Sequence, residues 1–149
     1  MPKEFKSLGV HFLYPDNWEL QVEAERADCR AVTVFSPGGA FWSVTIHPRA
    51  ANPLDLAQAA LKAMEEEYDE LDKEAVSEVV DDRSLVGFDM NFFSLDLTAT
   101  ARIRSLRTEE ASYTVFCQAE DGEFANLAPV FQAITTSLMR GIGTTDTPL

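Results

Sequence analysis

The side chains able to carry out acid–base, nucleophilic or metal chemistry are few in this chain of 149 residues. Its two histidines are His11 and His47, and its two cysteines are Cys29 and Cys117. No CxxC, HExxH, GxSxG or glycine-rich phosphate loop accompanies them. Cys117 lies in an apolar strand pattern, where burial raises the pKa of a thiol and does not activate it. We therefore expect no catalytic, cofactor-binding or metal-binding residues.

Three alternatives remain open for these four residues. The histidines could meet across a sheet and form a metal site with Cys29 or a carboxylate. His47 or His11 could instead act with carboxylates in an unrecognised hydrolase site. A disulfide between Cys29 and Cys117 is the third alternative, although a reducing compartment would not maintain it.

Acidic side chains are concentrated in residues 65–82. This segment holds ten acidic residues and one basic residue, a net charge of −9 in a chain whose net charge is −13. One explanation is a solvated helix face and loop. The other is an electrostatic docking surface for a basic protein partner. The residues expected to form that surface are Glu65, Glu66, Glu67 and Glu70.

Two pairs of adjacent aromatic residues, Phe41-Trp42 and Phe92-Phe93, occur in strand patterns. Neighbouring side chains in a strand point to opposite faces of the sheet. If helices cover both faces, all four rings belong to the core. If one face is partly open, Phe41 or Phe93 would line an apolar groove, and we expect both residues to contribute to partner binding.

Two arginines form the opposite electrostatic pole. Arg102 and Arg104 share one strand face, about 7 Å apart, and are expected to face water. They could bind an anion together. They could also pair with nearby acids or protect a sheet edge from aggregation.

The net charge of −13 excludes some classes of binding partner. Twelve Lys and Arg residues against 25 Asp and Glu residues argue against nucleic acid and anionic membrane surfaces. No continuous apolar run reaches about 20 residues, so we expect no membrane insertion. The first residues lack the apolar stretch of a signal peptide, so we expect a cytoplasmic location. The oligomeric state cannot be read from this pattern.

Apolar periodicity predicts the order strands, helix, strands, helix. A change of apolar parity at Phe92-Phe93 predicts a bulge or turn there. Asn52 is a favourable N-cap for a first helix over residues 53–70, and an apolar stripe around Pro129 predicts the second. The predicted strands cover residues 10–14, 20–24, 32–34, 42–46, 76–80, 87–103 and 112–119.

These elements predict an α+β fold. We expect a largely antiparallel twisted sheet of about 6–8 strands, packed by two main helices as an α/β/α sandwich. One domain would span residues 1–140, with residues 141–149 as a disordered tail.

The opening pattern Val-x-Phe-x-Tyr-Pro-x-x-Trp, from Val10 to Trp18, resembles that of the PsbP-like superfamily, which includes the Ran-binding nucleotide-release factors. The turn at Ser36-Pro37 and the closing pattern from Phe131 to Leu138 are similar as well. The resemblance covers most of residues 5–140 and implies an antiparallel sheet with helices on both faces. Its members include photosystem subunits, partners of small GTPases and bacterial chaperones for secreted effectors, and few are enzymes.

The sequence therefore favours a non-enzymatic, intracellular protein-binding module, adaptor-like or chaperone-like. It would dock through the acidic helix face and the aromatic residues of the sheet. The alternative is a carrier of a small apolar ligand, held in a pocket between sheet and helix.

Overall fold

The computed structural model describes residues 1–26 and 29–142, except for the side chains of residues 24–26 and 29. Within these residues the chain forms nine strands and two helices in the predicted order. The elements are β1 (Lys3–Ser7), β2 (Val10–Tyr14), β3 (Glu19–Arg26), β4 (Cys29–Phe35), β5 (Phe41–His47), α1 (Pro53–Glu67), β6 (Leu71–Val80), β7 (Arg83–Ser94), β8 (Leu97–Arg107), β9 (Ser112–Glu120) and α2 (Asp121–Ile142).

Seven strands form the main sheet, in the order β3-β4-β5-β9-β8-β7-β6, and every neighbouring pair is antiparallel. β1 and β2 pair separately as a two-stranded antiparallel sheet. The predicted α+β fold with a largely antiparallel sheet is thus confirmed. β1 was missed by the sequence pattern, because its five residues carry a single apolar side chain, Phe5.

Helix α1 begins where the capping residue predicts. The side-chain oxygen of Asn52 accepts hydrogen bonds from the backbone N–H groups of Leu54 at 2.9 Å and Asp55 at 3.3 Å. The helix ends at Glu67, three residues before the predicted boundary, because Tyr68 has an extended backbone. Its buried face packs on β7 and β8 through Ala57, Leu61 and Met64.

Helix α2 packs on the opposite face of the sheet. Val115 and Cys117 of β9 belong to the core cluster on the α2 side, whereas the intervening Phe116 packs with the cluster on the α1 side. The indole Nε1 of Trp42 donates a hydrogen bond to Thr135 of α2 at 2.9 Å. Alternate side chains of a strand therefore pack into two separate cores, one beneath each helix.

The small sheet docks beside α2 through the edge of β2. The backbone N–H of Leu13 donates to Ser137 Oγ at 2.9 Å. A Cβ placed on Gly141 would lie 2.3 Å from the carbonyl oxygen of His11, so only glycine permits this approach. The helix continues to Ile142, two residues into the segment expected to be a tail, and residues 143–149 lie outside the described part.

The β7–β8 hairpin corrects the prediction of a bulge or turn at Phe92-Phe93. Strand β7 continues through both residues to Ser94, and the turn is formed by Leu95 and Asp96. Phe92 is buried against the α1 side, while Phe93 on the other face is 58% exposed. The apolar parity misled the prediction because Leu95 lies in the turn and not in a core-facing strand.

Candidate functional site

Exposed acidic residues lie at the end of α1 and just after it, and we refer to Glu66, Glu67 and Glu70 as the acidic corner. Glu66 and Glu67 lie exposed on the last turn of α1, and Glu70 is exposed just before β6. Glu65 instead pairs with Lys73 of β6, with 2.6 Å between the carboxylate oxygen and Nζ. One of the four predicted acidic residues is therefore partly neutralised within the protein.

An exposed apolar group lies at the tip of the β7–β8 hairpin. Phe93, Leu95 and Leu97 are 58%, 97% and 58% exposed, and we refer to these three residues as the apolar tip. Leu97 pairs with Ser94 and so points to the sheet face opposite Phe93, with Leu95 in the turn between them. Large apolar side chains exposed together at one place are typical of an interaction site.

The apolar tip and the acidic corner meet in one depression of about 380 Å³. The structure thereby brings together Phe93, Glu67 and Glu70, which the sequence had proposed separately as partner-binding residues. The predicted partner-binding role itself stays a prediction. The depression is lined by Glu67, Tyr68, Asp69, Glu70, Phe93 and Leu95.

Leu95 adopts a backbone conformation that suits glycine. Its φ is 59°, in the left-handed region where a leucine costs about 1–2 kcal/mol relative to its ordinary conformation. Glycine is the usual residue at a left-handed first position of a two-residue hairpin turn. Sequence reasoning missed this residue because leucine gives no turn signal. An unfavourable φ of this kind is the basis for a hypothesis of function.

Phe41 lies apart from the apolar tip. It is half-buried in β5, where its ring stacks on Phe116 with 5.7 Å between centroids and lies 6.0 Å from Phe35. Helix α1 packs on β7, β8 and β9. Phe41 and Phe93 are on different strands and opposite faces of the sheet, so they do not line one groove.

Arg104 does not face water, contrary to the sequence expectation. It is 7% exposed and donates hydrogen bonds to the carboxylates of Glu78 and Asp89 and to two backbone carbonyls. Burial alone would lower the pKa of Arg104, but the hydrogen bonds and charges of its two carboxylate partners raise it. The guanidinium is thus committed to partners inside the protein.

Arg102 is the more accessible member of the predicted anion-binding pair. Its side chain is 36% exposed, and its Nε lies 3.7 Å from a carboxylate oxygen of Asp89. The guanidinium carbon lies 4.9 Å from the ring centroid of Phe124, a cation–π contact. Anion binding by Arg102 and Arg104 stays a prediction, and the contacts seen here are those of paired arginines.

The two histidines lie in different sheets. His11 is in β2, where Nε2 is 2.5 Å from the carboxylate of Glu4. His47 is at the end of β5, and burial lowers its pKa. The expectation that they could meet across one sheet was wrong. No cluster of three or more metal-ligating side chains occurs among the residues that the structure describes.

Cys117 is a free, buried cysteine, and burial raises its pKa to about 12. Its thiol therefore stays protonated at neutral pH and is a poor nucleophile. The Cys29 side chain lies outside the described residues, and so does the alternative of a disulfide between Cys29 and Cys117.

A larger groove, of about 1180 Å³, lies between the small sheet and the outer surface of α2. Leu13, Tyr14 and Pro15 form one wall, and Pro129 and Ala133 form part of the other. In the described part of the chain, neither helix is both long enough and apolar enough to cross a membrane.

No protein-family model and no curated protein matches the chain. Several solved structures, however, have a similar fold. The solution structure of PsbP (CyanoP) from the cyanobacterium Synechocystis sp. PCC 6803 aligns with a TM-score of 0.62 and 12% identity, over 91% of this chain and 90% of that one. The crystal structure of PA94, a protein of unknown function from Pseudomonas aeruginosa, aligns with a TM-score of 0.55 and 10% identity, over 92% of this chain and 95% of that one.

A crystal structure from Bacteroides thetaiotaomicron VPI-5482 aligns with a TM-score of 0.60 and 14% identity over 91% of this chain. The chain spans about half, 47%, of that protein's length. Identities this low establish a shared fold and carry no function from one protein to another. The chain is therefore similar in fold to PsbP, as the opening pattern of its sequence had implied.

Proposed function

We propose that this single-domain protein is a non-enzymatic protein-binding module that docks a basic partner through the acidic corner and the apolar tip. The observation that carries the proposal is the junction of Glu67 and Glu70 with Phe93 and Leu95 in one depression. A cytoplasmic location stays a prediction from the sequence.

The two parts of this surface contribute differently to binding. Exposed carboxylates attract a basic partner electrostatically and raise the association rate. Salt weakens this attraction, which at 0.1 M ionic strength is largely screened beyond about 10 Å. Burial of the exposed apolar side chains against a partner supplies affinity. A partner with basic residues flanking an apolar anchor would satisfy both parts.

A pull-down from an extract of the native host, at low and moderate salt with mass spectrometry, tests the proposal. The bait variants are Leu95→Gly and the double variant Glu67→Gln/Glu70→Gln. The matched controls are Val22→Ser and Glu19→Gln/Glu23→Gln, which remove a 45% exposed apolar side chain and two acids from β3, at the other end of the sheet.

We expect a basic protein that the unmodified chain and both controls retain, and that both site variants lose. Its retention should fall as salt rises. The proposal is wrong if the site variants capture the same proteins as the unmodified chain, or if no protein is captured at either salt.

A second candidate function, carriage of a small apolar ligand, is favoured by the groove beside α2. The groove is larger than the 300–1,000 Å³ typical of sites for small ligands, and apolar side chains contribute to both walls. Native mass spectrometry of the purified protein would detect a retained small molecule as added mass. Substituting Ala133 by Trp should abolish that added mass if the ligand occupies this groove.

A further inference from the structure

The edge strand β6 carries much of the acidic charge. Three of the ten acids in residues 65–82 lie within it, Asp72, Glu74 and Glu78, and Glu70 and Asp81 flank its two ends. β6 spans ten residues and ends the order of the main sheet. Within the residues that the structure describes, β7 is its one strand neighbour. β6 therefore presents one long backbone edge to its surroundings.

The register identifies which backbone groups point outward. β6 joins β7 through Asp81 and Asp82, whose φ angles of 50° and 66° match a two-residue hairpin turn. Val80 and Arg83 flank this turn and form a hydrogen-bonded pair, and the pairs alternate from there. The residues whose N–H and C=O groups point away from β7 are therefore Leu71, Lys73, Ala75, Ser77 and Val79.

The side chains of β6 select the chemistry of an added strand. Asp72 and Glu74 are exposed on one face, and Val79 is 69% exposed on the other. Glu78 already forms an ion pair with Arg104, and Lys73 forms one with Glu65. An added strand would place its side chains directly opposite these, about 4.5–5.5 Å away between Cβ atoms.

We propose that β6 accepts an extended basic segment of a partner protein as an additional strand of the main sheet, with Lys or Arg opposite Asp72 and Glu74. The proposal rests on the proposed function, because it names how the partner is held. Charge complementarity selects this occupant. A second copy of β6 is disfavoured, because like charges placed opposite each other destabilise a strand pair.

Hydrogen exchange followed by NMR tests the strand edge first in the free protein. The amides of Lys73, Ala75 and Ser77 should exchange fast, and those of Glu74 and Val76, which bond to β7, should exchange slowly. If the two sets exchange alike, the edge assignment is wrong and the proposal falls with it.

The binding test adds a peptide of about ten residues in which Lys and Val alternate, capped at both ends. Its control is the same peptide with N-methyl groups on alternate residues, which keeps the charge but blocks strand hydrogen bonds. We expect the first peptide alone to protect the amides of Lys73, Ala75 and Ser77. Binding of both peptides with equal affinity, or of neither, would overturn the proposal.

Two charge-matched variants separate the edge from the net charge. Asp72→Asn/Glu74→Gln should weaken peptide binding about tenfold, whereas Glu19→Gln/Glu23→Gln on β3 should leave it unchanged. Equal weakening by both would mean that net charge alone attracts the peptide, and the edge proposal would be wrong.

The pull-down baits distinguish this inference from the proposed function. If the site variants lose the captured partner but Asp72→Asn/Glu74→Gln retains it, docking at the apolar tip stands and strand addition fails. If all three variants lose it, both are supported. If none loses it, both are wrong.

Discussion

Replacing Leu95 by glycine is expected to stabilise the protein, although the change removes a large apolar side chain. Leu95 has a φ of 59°, which costs a leucine about 1–2 kcal/mol and glycine very little. The side chain is 97% exposed, so its removal forfeits almost no burial. Glycine gains about 0.4–1 kcal/mol of conformational freedom in the unfolded chain, which offsets part of the relief. The net stabilisation is roughly 0.5–1 kcal/mol.

This free energy corresponds to a measurable shift in Tm. At about 2.1 cal/mol/K per residue, the unfolding entropy of a 149-residue chain is about 0.31 kcal/mol/K. The expected rise in Tm is therefore about 2–3 °C, read by circular dichroism or calorimetry at fixed pH.

Asp96, the second residue of the same turn, provides the matched control. It lies outside the left-handed region, so Asp96→Gly gains unfolded-state entropy without relief and should lower Tm by about 1–3 °C. The two substitutions must therefore shift Tm in opposite directions. If both lower Tm to the same extent, the reasoning about the backbone of Leu95 is refuted.

Two further substitutions and one thiol modification test the packing of the domain. Gly141→Ala should destabilise the protein by about 2 kcal/mol in urea unfolding, because the new Cβ would lie 2.3 Å from the His11 carbonyl oxygen. A gain in stability, the usual outcome of Gly→Ala within a helix, would contradict the docking of β2. Arg104→Met should cost about 2–3 kcal/mol, because two half-buried carboxylates lose their shared cation; a cost below about 0.5 kcal/mol would contradict the buried ion-pair arrangement. In a Cys29→Ser background, Cys117 should resist Ellman's reagent at pH 8 in the native state and react in urea, because burial raises its pKa to about 12. Reaction at equal rates in both conditions would contradict that burial.

The candidate site could be predicted only in parts. Glu67, Glu70 and Phe93 were identified from charge concentration and from an aromatic pair, but nothing in the sequence says that they are neighbours. The pairing of β6 with β7 and the end of α1 bring them together. Leu95 could not be identified, since its importance comes from a backbone angle that its residue type does not indicate.

For Arg102 and Arg104, the sequence predicted the shared strand face but not the burial of the side chains. Strand spacing correctly places Arg102 and Arg104 on one face, but it cannot tell whether that face is open. Glu78 lies 26 residues from Arg104 in the chain and reaches it across β7. A contact of this separation depends on sheet order, which periodicity does not contain.

The sequence by itself determined which segments alternate, which are helical, and that two amphipathic helices must cover a largely antiparallel sheet, because these properties depend on the local period of apolar side chains. It also determined the concentration of acidic side chains in residues 65–82. The tertiary structure alone decided that β6 is an edge, that β1 and β2 leave the main sheet to dock beside α2, and that the apolar tip adjoins the acidic corner. These outcomes depend on which strands pair over long distances, and that choice is made by the packing of the whole domain.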